Sequence, residues 1–204
     1  LRNVVRLRRS EREVSELNRG LQVRVDEQIA ELARTGRLKH FLSPAVVESL
    51  MAPDRRAAAL ERRTITALFA DMVGFSPLSE QLLPAQLTEL LNQYFERMSE
   101  VAHRHGGVVD KFMGDGVMVL FGAPQASAAA MQARSAVQCA FVMREAMCEL
   151  SSELLQGHEL ALRFGINTGH AVVGVFGAGG LQSYTAVGPT VNIAARLQVE
   201  AQAG

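Results

Sequence analysis

Two aspartates in this sequence sit where a carboxylate can do chemistry. Asp71 follows Thr64-Ile65-Thr66-Ala67-Leu68-Phe69-Ala70, a β-rich and nearly continuously apolar run of the kind that forms a central strand. Asp115 lies in Met113-Gly114-Asp115-Gly116, a tight glycine hairpin between Val108–Phe112 and Val117–Phe121. If the first strand pairs beside that hairpin, both carboxylates reach one end of the sheet. There they repel and raise each other's pKa unless a cation stands with them. A hard oxygen site with few protein ligands suits Mg²⁺ or Mn²⁺ bound together with phosphates. After Asp71 the chain turns through Gly74 toward Phe75 and Ser76, offering backbone N–H groups as an anion cradle. Metal and cradle together point to a nucleoside triphosphate. A turn aspartate and a hairpin Asp-Gly with purely structural roles account for the same residues.

The elements that must position these groups are legible from periodicity and punctuation. Pro84 to His103 carries Leu87, Leu90, Leu91, Tyr94, Phe95 and Met98 on one helical stripe, and Gly106-Gly107 closes it. A second helix is expected over Ser127–Leu155, then two strands, Leu160–Asn167 and Ala171–Phe176, a short strand around Tyr184, and a helix from Pro189. The order β-α-β-β-α-β predicts an α+β fold, a ferredoxin-like sandwich with helices on one face of a mainly antiparallel sheet.

The chain has 204 residues, 48% hydrophobic and 21% charged, which excludes a mostly disordered protein. No apolar run reaches the roughly 18–20 residues of a membrane span. Net charge is zero, but residues 1–40 hold ten Lys/Arg against six Asp/Glu. Those basic residues interleave with acids at helical spacing, which reads as a solvated helix face and not a nucleic-acid surface. Cys139 and Cys148 share one helical segment and read as reduced thiols, in keeping with a cytoplasmic location.

Three segments divide the chain. Over residues 1–36, Val14, Leu17, Leu21, Val25, Ile29 and Leu32 form a 3-4-4-4-3 seam, a coiled coil with one stutter that ends at Gly36. Residues 37–61 read as a short helix, capped by Ser43-Pro44, and a charged connector. Residues 62–204 form the globular part. The first residue is Leu1 and not Met, so a fragment of a longer protein with an upstream sensor is expected.

Phe69-Ala70-Asp71-Met72-Val73-Gly74-Phe75-Ser76, Val109-Asp110-Lys111-Phe112-Met113-Gly114-Asp115-Gly116 and Val187-Gly188-Pro189-Thr190-Val191-Asn192-Ile193-Ala194-Ala195-Arg196 resemble, in order and separation, the signature segments of class III adenylate/guanylate cyclase catalytic domains. The resemblance covers residues 62–204 and implies the nucleotide cyclase fold. It implies a metal site of Asp71, Met72 and Asp115 holding two Mg²⁺ or Mn²⁺, with Gly74, Phe75 and Ser76 at the phosphates. Lys111 matches the residue that reads the purine edge, where lysine goes with adenine and glutamate with guanine. Thr185 matches the second purine-reading position; threonine there is similar to the soluble, bicarbonate-responsive adenylate cyclases, so bicarbonate is a candidate effector.

Asn192 and Arg196, four apart on one helix face, match the ribose-orienting residue and the transition-state arginine. Arg163, in Leu162-Arg163-Phe164-Gly165, matches a triphosphate-contacting arginine. The implied reaction is conversion of ATP to 3′,5′-cyclic AMP and pyrophosphate at sites shared by a head-to-tail homodimer. The alternatives are a guanylate cyclase, disfavoured by Lys111, and a non-catalytic, cyclase-like dimerisation or regulatory module. Relatives continue past the last helix with further strands and a triphosphate-binding lysine, whereas this sequence ends at Gly204, so a C-terminally truncated domain is expected.

Overall fold

The apolar run around Leu68 becomes the central strand of a five-stranded sheet. The computed structural model describes residues 60–155, 160–178 and 181–203. The expected coiled coil (1–36), the Ser43 helix and the connector up to residue 59 lie outside the described residues.

Strand β1 (Glu61–Val73) has charged ends and an unbroken buried centre from Ile65 to Ala70. It leads through Gly74 into the short helix α1 (Phe75–Ser79), then α2 (Pro84–Arg104). β2 (Val108–Met113) and β3 (Gly116–Phe121) form the expected hairpin, and α3 (Ala129–Leu154) follows. β4 (Ala161–Ala178), β5 (Leu181–Val187) and α4 (Pro189–Glu200) complete the described chain. The strand order is β2-β3-β1-β4-β5, and every pair is antiparallel. This is the split β-α-β pattern expected from element order, extended by β5 on the β4 edge.

Directly opposed residues of antiparallel strands share a face, so the ladders assign each side of the sheet. Leu68, Ala70 and Met72 of β1, with Leu162 of β4, pack against Leu90, Tyr94 and Met98 of α2 and Cys139, Met143 and Met147 of α3. The opposite face carries Phe69 opposite Gly165 and Asp71 opposite Arg163. Helix α4 lies there. The expectation of helices on one face therefore holds for α2 and α3 and is corrected for α4.

A second correction concerns β4. The two strands expected at Leu160–Asn167 and Ala171–Phe176 are one continuous strand, paired with β1 from Ala161 to Val173 without a break. Gly169, in the gap between the two expected strands, serves close packing. A Cβ there would stand 2.7 Å from Thr190 Oγ1, and one on Gly165 would stand 2.0 Å from the Ala194 carbonyl oxygen. These two glycines, four apart on one face of the strand, let α4 lie directly on the sheet.

Candidate active site

Three groups of polar side chains emerge on this scaffold. The first is at the strand end where β1 meets the β2–β3 hairpin. Ala70 pairs with Val117, so the next residue, Asp71, lies beside the turn that carries Asp115. The expected convergence of the two carboxylates is present. Burial pushes the Asp115 carboxyl above its ordinary range and the Asp71 charge adds to this, while backbone hydrogen bonds at Asp115 and Met72 and the Arg163 charge oppose it. Arg163 Nη2 donates to Asp71 Oδ2 at 2.7 Å, and Gln198 Nε2 of α4 donates to the same oxygen at 3.3 Å.

This donor set fits a hard divalent cation. Two carboxylates meet with one guanidinium standing as their cation, and Gly116 leaves room beside them, since a Cβ there would lie 3.3 Å from Asp71 Oδ1. Met72 can contribute only through its backbone, because its side chain is buried in the core. Gly74 takes the left-handed conformation (φ 81°) that turns the chain from β1 into α1. Gly74 and Ser76 are exposed, and Phe75 packs against the core. The N–H groups of the first α1 turn have no intrahelical acceptor.

The sequence marks Tyr94 only as a core position, yet its hydroxyl is buried without a hydrogen-bond partner among the described residues. Burial pushes its pKa far up, and the charges of Asp115 and Asp71 push it further. The residue that fills the core beneath the site therefore also senses the site's charge. Only its position on the helical stripe was readable from sequence.

The second group joins strands distant in the chain. Lys111 Nζ lies 3.3 Å from Asp110 Oδ2, and Thr185 Oγ1 donates to that same oxygen at 2.8 Å. Lys111 and Thr185, expected to act together, are thus held on one carboxylate. Asp110 is the member that sequence reasoning did not single out. Burial raises its pKa, and the Thr185 hydrogen bond and Lys111 pull it back.

The third group is Asn192 and Arg196 on α4. Both are exposed, and neither makes a hydrogen bond or ion pair with the other two groups among the described residues. Gln198, two residues beyond Arg196, is buried against the sheet and reaches Asp71. Residues two apart on a helix point in nearly opposite directions, so Arg196 faces away from the Asp71 of its own chain.

The chain is similar to known proteins. The family model described as adenylate and guanylate cyclase catalytic domain matches residues 58–204. Adenylate cyclase 1 of Rhizobium meliloti is 38% identical over 139 residues, 67% of this chain and 21% of its own length. An adenylate cyclase of Mycobacterium tuberculosis is 30% identical over 161 residues, 79% of this chain and 35% of its own. The chain thus spans about a fifth to a third of these relatives' lengths. The crystal structure of the adenylyl cyclase CyaB from P. aeruginosa superimposes with TM-score 0.69 and 42% identity, covering 71% of this chain and 76% of that one. That of the guanylyl cyclase Cya2 gives TM-score 0.66 and 40% identity, covering 71% and 73%.

Proposed function

This chain belongs to the adenylate and guanylate cyclase catalytic domain family, and from that membership we propose that it converts ATP to 3′,5′-cyclic AMP and pyrophosphate. The observation that carries the choice of base is the pairing of Lys111 and Thr185 on one carboxylate. The Lys111 ammonium donates to adenine N1 and would oppose the N1–H of guanine. The Thr185 hydroxyl accepts from the 6-amino group. Similarity alone does not choose, since CyaB and Cya2 are 42% and 40% identical to this chain.

Asp71, Asp115 and the Met72 carbonyl would hold two divalent cations, Mg²⁺ or Mn²⁺. When bound, these ions lower the pKa of the ribose 3′-OH and neutralise the triphosphate. The 3′-oxygen gives its proton to solvent water and forms a bond to the α-phosphorus, while the bond from that phosphorus to the opposite, bridging oxygen breaks and pyrophosphate leaves. Asn192 orients the ribose for that attack. Arg196 stabilises the charge that accumulates on the equatorial phosphate oxygens. Arg163 and the N–H groups after Gly74 grip the triphosphate. Positioning and charge supply most of the acceleration.

The reading requires a head-to-tail homodimer, because Arg196 and Asn192 face outward and serve the partner's aspartates. Exposed Phe112, Met113, Val187, Ile193 and Leu197 supply apolar surface for that contact. The 3-4-4-4-3 seam of residues 1–36, which lies outside the described residues, would hold such a pair if it forms the expected coiled coil and would pass on a regulatory signal. Bicarbonate is a further candidate effector, and the cytoplasm is the proposed site of action. Among the described residues no helix is long and apolar enough to cross a membrane.

Incubation of the chain with ATP or GTP and Mn²⁺, with products identified by mass, tests the proposal. Cyclic AMP is expected, falling below about a tenth in Asp71→Ala and Asp115→Ala, since each lost metal contact removes several kcal/mol of transition-state stabilisation. Cyclic GMP as main product would overturn the base assignment. No cyclic product, from a sample shown to be dimeric, would overturn the activity.

A further inference from the structure

Three independent features converge on Asp110. The β2–β3 ladder pairs Val109 with Val119 and Lys111 with Met118, so its register shifts at Asp110, the extra residue of a β-bulge. Bulges re-aim a side chain that regular alternation would send elsewhere. The side chain they aim here is 1% exposed, against 45% for its neighbour Lys111. Its Oδ2 accepts a hydrogen bond from the Thr185 hydroxyl, while its Oδ1 is buried with no hydrogen-bond partner among the described residues. A buried carboxylate with one unmet oxygen costs stability, and an apolar side chain in its place would not.

The contact also spans the sheet. Asp110 is on β2 and Thr185 on β5, the two opposite edges. Flat strands would separate those edges by roughly 19 Å at the usual inter-strand spacing. β4 runs on past its β1-paired stretch, Ala161–Val173, to pair with β5 over Val172–Ala178, and the two side chains meet at 2.8 Å.

We propose that Asp110 sets base choice by fixing the direction of the Thr185 hydroxyl. The inference rests on the base-reading role proposed above for Lys111 and Thr185. A hydroxyl carries one proton and two lone pairs, and alone it can meet either purine. It accepts from the 6-amino group of adenine or donates to the 6-oxo group of guanine. An ionised carboxylate only accepts. Once the Thr185 O–H donates its hydrogen bond to Asp110, lone pairs alone are left for the base, and the 6-oxo group of guanine meets them unfavourably. Lys111, 3.3 Å from the same oxygen, favours the ionised carboxylate and keeps its remaining N–H groups for N1. Asp110 is thus a positioning residue that touches no substrate.

The test measures kcat/KM for ATP and GTP in the whole chain and in Asp110→Ala, Asp110→Asn, Thr185→Val, Lys111→Ala and Asp110→Ala/Thr185→Val. Competition between α,β-methylene ATP and α,β-methylene GTP for binding supplies a readout without turnover. Asp110→Ala should lower the ATP-over-GTP ratio about tenfold in both assays, through KM for ATP more than kcat. Asp110→Asn keeps the shape, but its amide can present oxygen or NH₂, so its ratio should fall by less. It also keeps the test open if the alanine variant does not fold. In the Thr185→Val background, removing Asp110 should change the ratio less than about threefold, because its route to the base is already gone. The proposal is overturned if Thr185→Val lowers the ratio while both Asp110 variants stay within about twofold of wild type, or if the two effects multiply in the double variant. If neither Lys111→Ala nor Thr185→Val moves the ratio, the base-reading role itself fails and this inference falls with it.

Discussion

Asp71 and Arg163 stand directly opposite each other on β1 and β4, and the guanidinium donates to the carboxylate at 2.7 Å. The pair shares the α4 face of the sheet, with Gln198 completing it from above. One positive charge therefore already sits beside the two aspartates, and a divalent cation bound there, as proposed, would take over part of its role.

This relationship makes Arg163→Ala informative about the metal site. The pair is about a quarter to a third exposed, so its loss should cost only about 1 kcal/mol. The two carboxylates then lack a counter-charge. Mn²⁺ should raise the melting temperature of Arg163→Ala more than that of wild type, because a cation bound only by the folded state stabilises it by mass action. Equal shifts in both, measured by thermal melts across a Mn²⁺ series, would detach Arg163 from the metal site.

The outward orientation of Arg196 predicts complementation between defective chains. Asp71→Ala and Arg196→Ala homodimers should each be nearly inactive. Refolded together in equal amounts, about half the dimers should be mixed, and one site of each mixed dimer carries neither defect. Activity should therefore recover to roughly a quarter of wild type. No recovery in a sample shown by mass to contain mixed dimers would place both residues in one chain's site.

Asp110 predicts a pH effect of defined sign. Its folded-state pKa is raised by burial above the ordinary Asp value of about 4, so the folded protein binds more protons than the unfolded chain just above that pH. Stability from this group is therefore lost as pH rises from about 4 through the folded-state value. Asp110→Asn removes the effect. The melting temperature of Asp110→Asn minus that of wild type should grow from pH 4 to pH 7. A difference that shrinks would mean the carboxylate is stabilised where it lies.

Gly165 predicts the steric limit of the α4 contact. A Cβ there would stand 2.0 Å from the Ala194 carbonyl oxygen and 2.3 Å from the Gln198 nitrogen, both backbone atoms. Rotamer changes cannot relieve such a clash, so Gly165→Ala should cost about 2–3 kcal/mol. The melting temperature should fall by roughly 5–10 °C. Activity should fall too, since α4 carries Asn192 and Arg196. A variant as stable as wild type would show that α4 does not bear on Gly165.

Much of this was readable in one dimension, because the signals are local. The unbroken apolar run before Asp71 specifies a buried central strand, and the glycines around Asp115 specify a hairpin. Element order then leaves few topologies that pair the two. Asn192 and Arg196 share a helix face by spacing alone. What tertiary structure decided depends on approach distances and backbone irregularity, which residue identities do not encode. Two strands are expected where β4 runs through unbroken, because the place of Gly169 under α4 is visible only once the helix is laid on the sheet. Asp110 reads as one more polar residue beside Lys111, because period-two alternation carries no sign of a bulge. Its partner Thr185 lies 75 positions away on the far edge strand. β5 pairs with β4 from Val172 to Ala178, mostly past the stretch that pairs with β1, so only the three-dimensional course of the long strand β4 brings the two together.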